Sequence, residues 1–185
     1  RPSRGLGDVY KRQVSLLTGA WKFKPFAGEV DALKPYADPE ISLKVGQLAP
    51  EFSLLDAEQN RVNLADFRSK NGVLLLFYRG SWCPYCVSQL EDIQILLPKL
   101  ESYGVQMLAI SPDKAKKSAK LAKKFNKPYV FLADHDLSVA EAYGMKKNRK
   151  LPHPAIFLID RDGKIVWYHV AVSYTHLTLP TNDQV

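Results

Sequence analysis

From Glu51 onward the rhythm of apolar and polar positions changes several times, and each change predicts an element. Phe52-Ser53-Leu54-Leu55-Asp56 is a short strand, Asp56 to Asn60 is turn-like, and Arg61-Val62-Asn63-Leu64 pairs back as a hairpin. Val73 to Tyr78 is a continuous apolar run, the pattern of a strand buried on both faces, and Gly80 breaks it. Val87, Leu90, Ile93, Leu97 and Leu100 then recur at spacings of three and four, which predicts an amphipathic helix over 84–102. Pro98 should kink that helix or restart it. Val105 to Ile110 is the next strand. Ser111-Pro112-Asp113 is a helix-start signal, and the helix it opens is expected to run to about Asn126. A strand over 129–132, a short helix over 137–143 capped by Asp136 and ended by Gly144, and a strand over 155–160 follow. Asp160-Arg161-Asp162-Gly163 is a tight turn from which Lys164 to Val170 pairs back.

Strands that alternate with helices predict an α/β fold around a central, mixed sheet. The lead-in over 25–50 carries Pro25, Pro35, Pro39 and Pro50 and reads as irregular. Residues 14–24 join an apolar stretch, Val14 to Trp21, to Lys22 and Lys24. They are read as a surface arm or as the stump of a signal peptide or anchor. The second reading leans the compartment from the bacterial cytoplasm toward the cell envelope.

Both ends carry a separate signal. Asp8-Val9-Tyr10-Lys11-Arg12-Gln13 can be written GAT GTG TAT AAG AGA CAG, and the reverse complement, entered two bases in, encodes Val-Ser-Tyr-Thr-His and the start of a Leu codon. Residues 172–177 read Val172-Ser173-Tyr174-Thr175-His176-Leu177. Residues 1–13 and 172–185 are therefore expected to be translated sequencing-adapter scars flanking a lead-in over 14–44 and a domain over 45–171. On that reading the helix that would cover the sheet after the last hairpin is missing.

Composition narrows the class. The chain has 185 residues and is 46% hydrophobic, enough for one domain with a real core. The longest apolar run, six residues, is far short of the roughly 20 that cross a bilayer. The net charge of +7 falls to +5 when the two suspected scars are set aside, a mild basicity. Lys114, Lys116, Lys117, Lys120, Lys123, Lys124 and Lys127 alternate with Ala115, Ala119, Ala122 and Phe125, so the lysines read as the solvated face of a helix. Lys146, Lys147, Arg149 and Lys150 add a second cluster. Without interleaved aromatic residues neither cluster calls for nucleic acid, and an acidic redox partner fits them equally well.

The chemistry is concentrated in Cys83-Pro84-Tyr85-Cys86, which holds both cysteines of the chain. The pair falls where a buried strand turns into a helix. Unpaired N–H groups and the helix dipole favour an anion there, and the thiolate is the nucleophile. Cys86 lies three residues on, on the same helix face and within disulfide reach. Pro84 suits the first turn because its missing N–H costs little there, and Trp82 can shield one side. A redox dithiol is the leading reading. A zinc site needs four ligands, and His135, His153 and His169 have no finger-like spacing to supply them. Neither metal nor cofactor is called for. A metallochaperone, a degenerate interaction module and a plain pair of buried thiols remain alternatives. Pro154, just before a core strand, fits either a cis peptide or an ordinary trans strand start.

Over about 45–170 the chain resembles the thioredoxin-like superfamily and, within it, the peroxiredoxin-like branch of alkyl hydroperoxide reductases and thiol-specific antioxidants. The resemblance is carried by Val45 to Leu54, Phe77 to Cys86, Ala109 to Asp113, Asp134 to Gly144 and Phe157 to Gly163. It implies a thioredoxin-like fold and an attacking or peroxidatic Cys83. It also implies a resolving Cys86 and a cis-proline at Pro154 facing them. The implied substrate is a peroxide or, alternatively, a protein disulfide, with a thioredoxin- or glutathione-type electron donor. Two positions depart from the branch: Gly80 stands where a Thr or Ser is usual, and Pro154 stands where the peroxide-activating Arg is usual. Arg79 is a candidate to substitute as a cation that lowers the thiol pKa. His153 is a candidate to tune the thiol or shuttle a proton.

Overall fold

The computed structural model describes residues 42–67, 70–125 and 129–170, all within one unit spanning 37–172. The apolar run Val73 to Phe77 sits at the heart of a seven-stranded mixed sheet. The strands are β1 (Ser53–Asp56), β2 (Arg61–Asn63), β3 (Gly72–Phe77), β4 (Val105–Ser111), β5 (Val130–Ala133), β6 (Ala155–Asp160) and β7 (Ile165–Val170). Their order across the sheet is β2-β1-β5-β4-β3-β6-β7. Strands β3, β4 and β5 are parallel, and the two outer pairs run antiparallel to their neighbours. The helices are α1 (Pro84–Gln94), α2 (Leu97–Ser102), α3 (Ala115–Ala122) and α4 (Ser138–Ala142). This is the thioredoxin-like arrangement that the resemblance implies.

Alternation along the strands splits the core into two layers. Val73, Leu75, Phe77, Leu108, Ile110, Leu132, Ala155 and Phe157 pack against Val139, Ala140 and Tyr143 of the α4 segment. The Tyr143 ring lies 5.3 Å from Phe77 and 5.2 Å from Phe157. On the other face Tyr78, Phe125, Tyr129 and Phe131 form a ring cluster. The Tyr129 hydroxyl donates to the Leu90 carbonyl, which ties β5 to α1. Right-handed crossovers put both connections between parallel strands, β3 to β4 and β4 to β5, on this second face.

Several expectations shift. The predicted long helix is two: α1 stops at Gln94 and α2 restarts at Leu97, with Pro98 in its first turn where a missing N–H is harmless. Helix α3 ends at Ala122, earlier than expected, and Phe125 leaves the helix to join Tyr129 and Phe131. Its most buried positions are Ser118 and Leu121, not the alanines, while Lys114, Lys116, Lys117, Lys120, Lys123 and Lys124 are exposed as expected. Leu64 leaves the predicted hairpin strand for a 3-10 turn, Leu64–Phe67. Asp136 is not the principal cap of α4: Asp134 accepts the N–H groups of Val139 and Ala140, while Asp136 accepts only that of Ser138. The suspected scars, the 14–24 stretch, Lys127 and the question of a C-terminal helix lie outside the described residues.

Candidate active site

Strand β3 delivers the chain to the dithiol through a turn that only glycine suits. Gly80 has φ +141°, and a Cβ on it would come within 2.7 Å of Trp82 Nε1 and 3.1 Å of Asp113 Oδ1. This accounts for the missing Thr or Ser: the space its side chain would fill belongs to an indole and a carboxylate. The Cys83 N–H donates to the Gly80 carbonyl at 3.1 Å and closes the turn.

Cys83 is then the N-cap of α1, with Pro84 in the first turn. Its sulfur accepts the Cys86 N–H at 3.3 Å, so the thiol occupies the position where capping oxygens usually sit. Both cysteines are buried free thiols. Their environments push them apart. Cys83 falls to about 6, chiefly because the Cys86 thiol hydrogen-bonds to it. The Cys86 and Tyr85 N–H groups and the Arg79 charge also stabilise the thiolate, against the opposing effect of burial. Cys86 is pushed up, first by giving its proton to that hydrogen bond and then by burial. The pair therefore shares one proton, held on Cys86.

The remaining predicted residues fall around this pair. Arg79 acts electrostatically on Cys83, Cys86 and His153 together. Trp82 and Tyr85 are 57% and 66% exposed, and the Trp82 indole lies against Gly80, while Cys83 itself is buried. Phe77 pairs with Ala155, so Pro154 and His153 lead into β6 beside the end of β3, and the Arg79 charge reaches His153. Burial and the charges of Lys147 and Arg79 lower the His153 pKa, so its imidazole is neutral at neutral pH. The His153–Pro154 peptide is trans, since the described residues hold no cis bond, and the cis-proline implied by resemblance is not present. The segment is already extended on its way into β6: Lys146 and Pro152 form an antiparallel bridge, and the His153 N–H donates to the Met145 carbonyl at 2.6 Å. A proline at a strand start needs no cis bond. Among the described residues no group of three or more His, Cys, Asp or Glu side chains is arranged to hold a metal.

One residue of the site escaped the sequence. Asp113 does not start α3, whose N-cap is Lys114 with no side-chain hydrogen bond. Its carboxylate instead accepts the Ser81 N–H at 2.6 Å.

A strand-to-helix turn with two hydrogen-bonded thiols narrows the field, and comparison with known proteins settles it. The sequence profile of the AhpC/TSA family matches residues 45–168. The chain belongs to the AhpC/TSA family. Peroxiredoxin Bcp of Escherichia coli strain K12 is 38% identical over 130 residues, covering 66% of this chain and 83% of that protein. Thiol-disulfide oxidoreductase ResA of Bacillus cereus is 30% identical over 152 residues, 82% of this chain and 80% of that protein. The crystal structure of Peroxidoxin BcpB from Mycobacterium tuberculosis superposes with a TM-score of 0.65 at 26% identity, over 69% of this chain and 86% of that one. This AhpC/TSA protein is a peroxiredoxin-like, thiol-dependent oxidoreductase.

Proposed function

We propose that the protein reduces peroxides through Cys83, with Cys86 as the resolving thiol. The observation that carries this reading is the capped sulfur: Cys83 Sγ sits at the α1 N-terminus, 3.3 Å from the Cys86 N–H. Its pKa of about 6 makes it mostly thiolate at neutral pH. The thiolate attacks one peroxide oxygen and the O–O bond breaks. The second oxygen leaves as water or an alcohol after taking a proton, and Cys83 becomes a sulfenic acid. Cys86, which holds the shared proton, then attacks the Cys83 sulfur. Hydroxide leaves with that proton as water, and a disulfide remains. A thioredoxin- or glutathione-type donor supplies the two electrons and two protons that restore the dithiol. Among the described residues the buried Arg79 Nε has no hydrogen-bond partner, which suits it to an oxygen of the bound peroxide.

A second reading is favoured by the similarity to ResA and by a resolving thiol on the same helix face: a protein disulfide reductase using the same pair. Stopped-flow oxidation of the reduced protein by hydrogen peroxide separates the two. Loss of the Cys83 thiol far faster than for a free thiolate of the same pKa supports the peroxidase. A rate no better than that overturns it and leaves the disulfide reductase.

A further inference from the structure

We infer that Asp113 is a positioning residue for Cys83, holding the turn that presents the thiol to the helix N-terminus; the inference rests on Cys83 being the reactive thiol of the proposed function. Strands β3 and β4 are parallel with Phe77 paired to Ile110, and the same register continued past their ends brings Gly80 alongside Asp113. The two loops therefore leave the sheet side by side. Asp113 spans the gap. One carboxylate oxygen, Oδ2, accepts the Ser81 N–H at 2.6 Å, while Oδ1 lies 3.1 Å from where a Gly80 Cβ would stand. The residue is 6% exposed and its own N–H donates to the Ser111 hydroxyl at 3.3 Å, so the carboxylate is anchored from its own loop as well.

A buried carboxylate is unfavourable unless its oxygens are hydrogen-bonded. Here a charge-assisted bond goes to the residue two places before Cys83. It fixes Gly80-Ser81-Trp82 in the one conformation that lets the Cys83 N–H reach the Gly80 carbonyl and the Cys83 sulfur reach the Cys86 N–H. Gly80 has no intrinsic preference that keeps it at φ +141°, so release of the Ser81 N–H lets the turn move and takes the sulfur off the helix axis. The same carboxylate bears a negative charge close to the turn. Its field alone would disfavour a thiolate, so a positioning role and a field role predict opposite results on its removal.

The test is the pH dependence of Cys83 alkylation by iodoacetamide in wild type, Asp113→Ala and Asp113→Asn, with peroxide absent. Asp113→Ala is expected to raise the alkylation midpoint and lower the rate at pH 6 by about fivefold, the effect of a one-unit rise from a midpoint near 6. Asp113→Asn keeps an acceptor for the Ser81 N–H while losing the charge, and is expected to leave the midpoint at or slightly below the wild-type one. A midpoint that falls in both variants, or does not move in either, overturns the inference while a reactive wild-type Cys83 leaves the proposed function standing. A wild-type Cys83 that alkylates like a free thiol overturns both. Amide hydrogen exchange of Ser81 in wild type keeps the inference testable if Asp113→Ala does not fold. Strong protection is expected, and exchange at the rate of an open loop overturns it.

Discussion

Two helix N-termini at the same edge of the sheet meet two different anions. The α1 terminus, after β3, receives the Cys83 sulfur. The α4 terminus, after β5, receives the Asp134 carboxylate. The donors are alike, backbone N–H groups of a first helical turn. The outcomes are opposite. Cys83 falls well below an ordinary thiol, whereas Asp134 rises above an ordinary carboxyl because burial outweighs the N–H groups of Ala140 and Val139. What holds each anion separates the two ends. Asp134 makes three hydrogen bonds, with Oδ1 at 3.1 Å from the Val139 N–H and 3.4 Å from the Ser138 hydroxyl and Oδ2 at 2.8 Å from the Ala140 N–H. Its main-chain carbonyl, not its side chain, accepts the N–H of Leu137, a buried residue at φ +61°. That carboxylate is a clamp. The Cys83 sulfur is stabilised mainly by a neighbouring thiol whose proton is itself consumed in the reaction, so the stabilised anion remains a nucleophile.

The sharpest way to break this contrast is to remove each anion in turn. Cys83→Ser should reduce donor-coupled peroxide turnover to background, because a hydroxyl is not ionised at neutral pH, while thermal stability stays near wild type. Asp134→Ala should do the reverse. It strands the buried N–H groups of Val139 and Ala140, a loss of about 2–3 kcal/mol in denaturant unfolding, with the Cys83 alkylation midpoint unmoved.

Smaller changes sharpen the account of Cys83. In wild type, alkylation should rise with pH to a half-maximum near pH 6 and flatten above neutrality, since only the thiolate reacts and its fraction is then complete. An ordinary thiol reaches its half-maximum only near pH 8.5. Cys86→Ala removes the first contributor to the low pKa and should shift the midpoint upward. Arg79→Gln removes a weaker one and should shift it in the same direction by less. Equal shifts would mean that the arginine contributes as much as the second thiol, and a larger shift for Arg79→Gln that it governs the nucleophile.

The dithiol was legible in the sequence because everything that defines it is local: a buried apolar run, a breaking glycine, and Cys-Pro-Tyr-Cys on the first turn of a helix. The restart at Pro98 was legible for the same reason. What escaped depends on register between distant strands. Asp113 lies 32 residues from Ser81, and only the parallel pairing of β3 with β4 brings them together. Asp134 displaced Asp136 as the cap because Leu137 adopts a left-handed backbone that turns the helix N–H groups back toward the end of β5. Pro154 was read through the superfamily, but the extended bridge of Lys146 with Pro152 already delivers the chain to β6 with a trans bond.

The placement of Cys86 one helical turn from Cys83 also bears on survival under a heavy oxidant load. A sulfenic acid that waits for a distant resolving group is exposed to a second peroxide molecule, which carries the sulfur to the irreversible sulfinic state. Here the second thiol is already hydrogen-bonded to the first, and ring closure competes with that second encounter as an intramolecular event of high effective concentration. The enzyme should therefore keep cycling at peroxide concentrations that inactivate its own Cys86→Ala variant, whose sulfenic acid has no second thiol to close on.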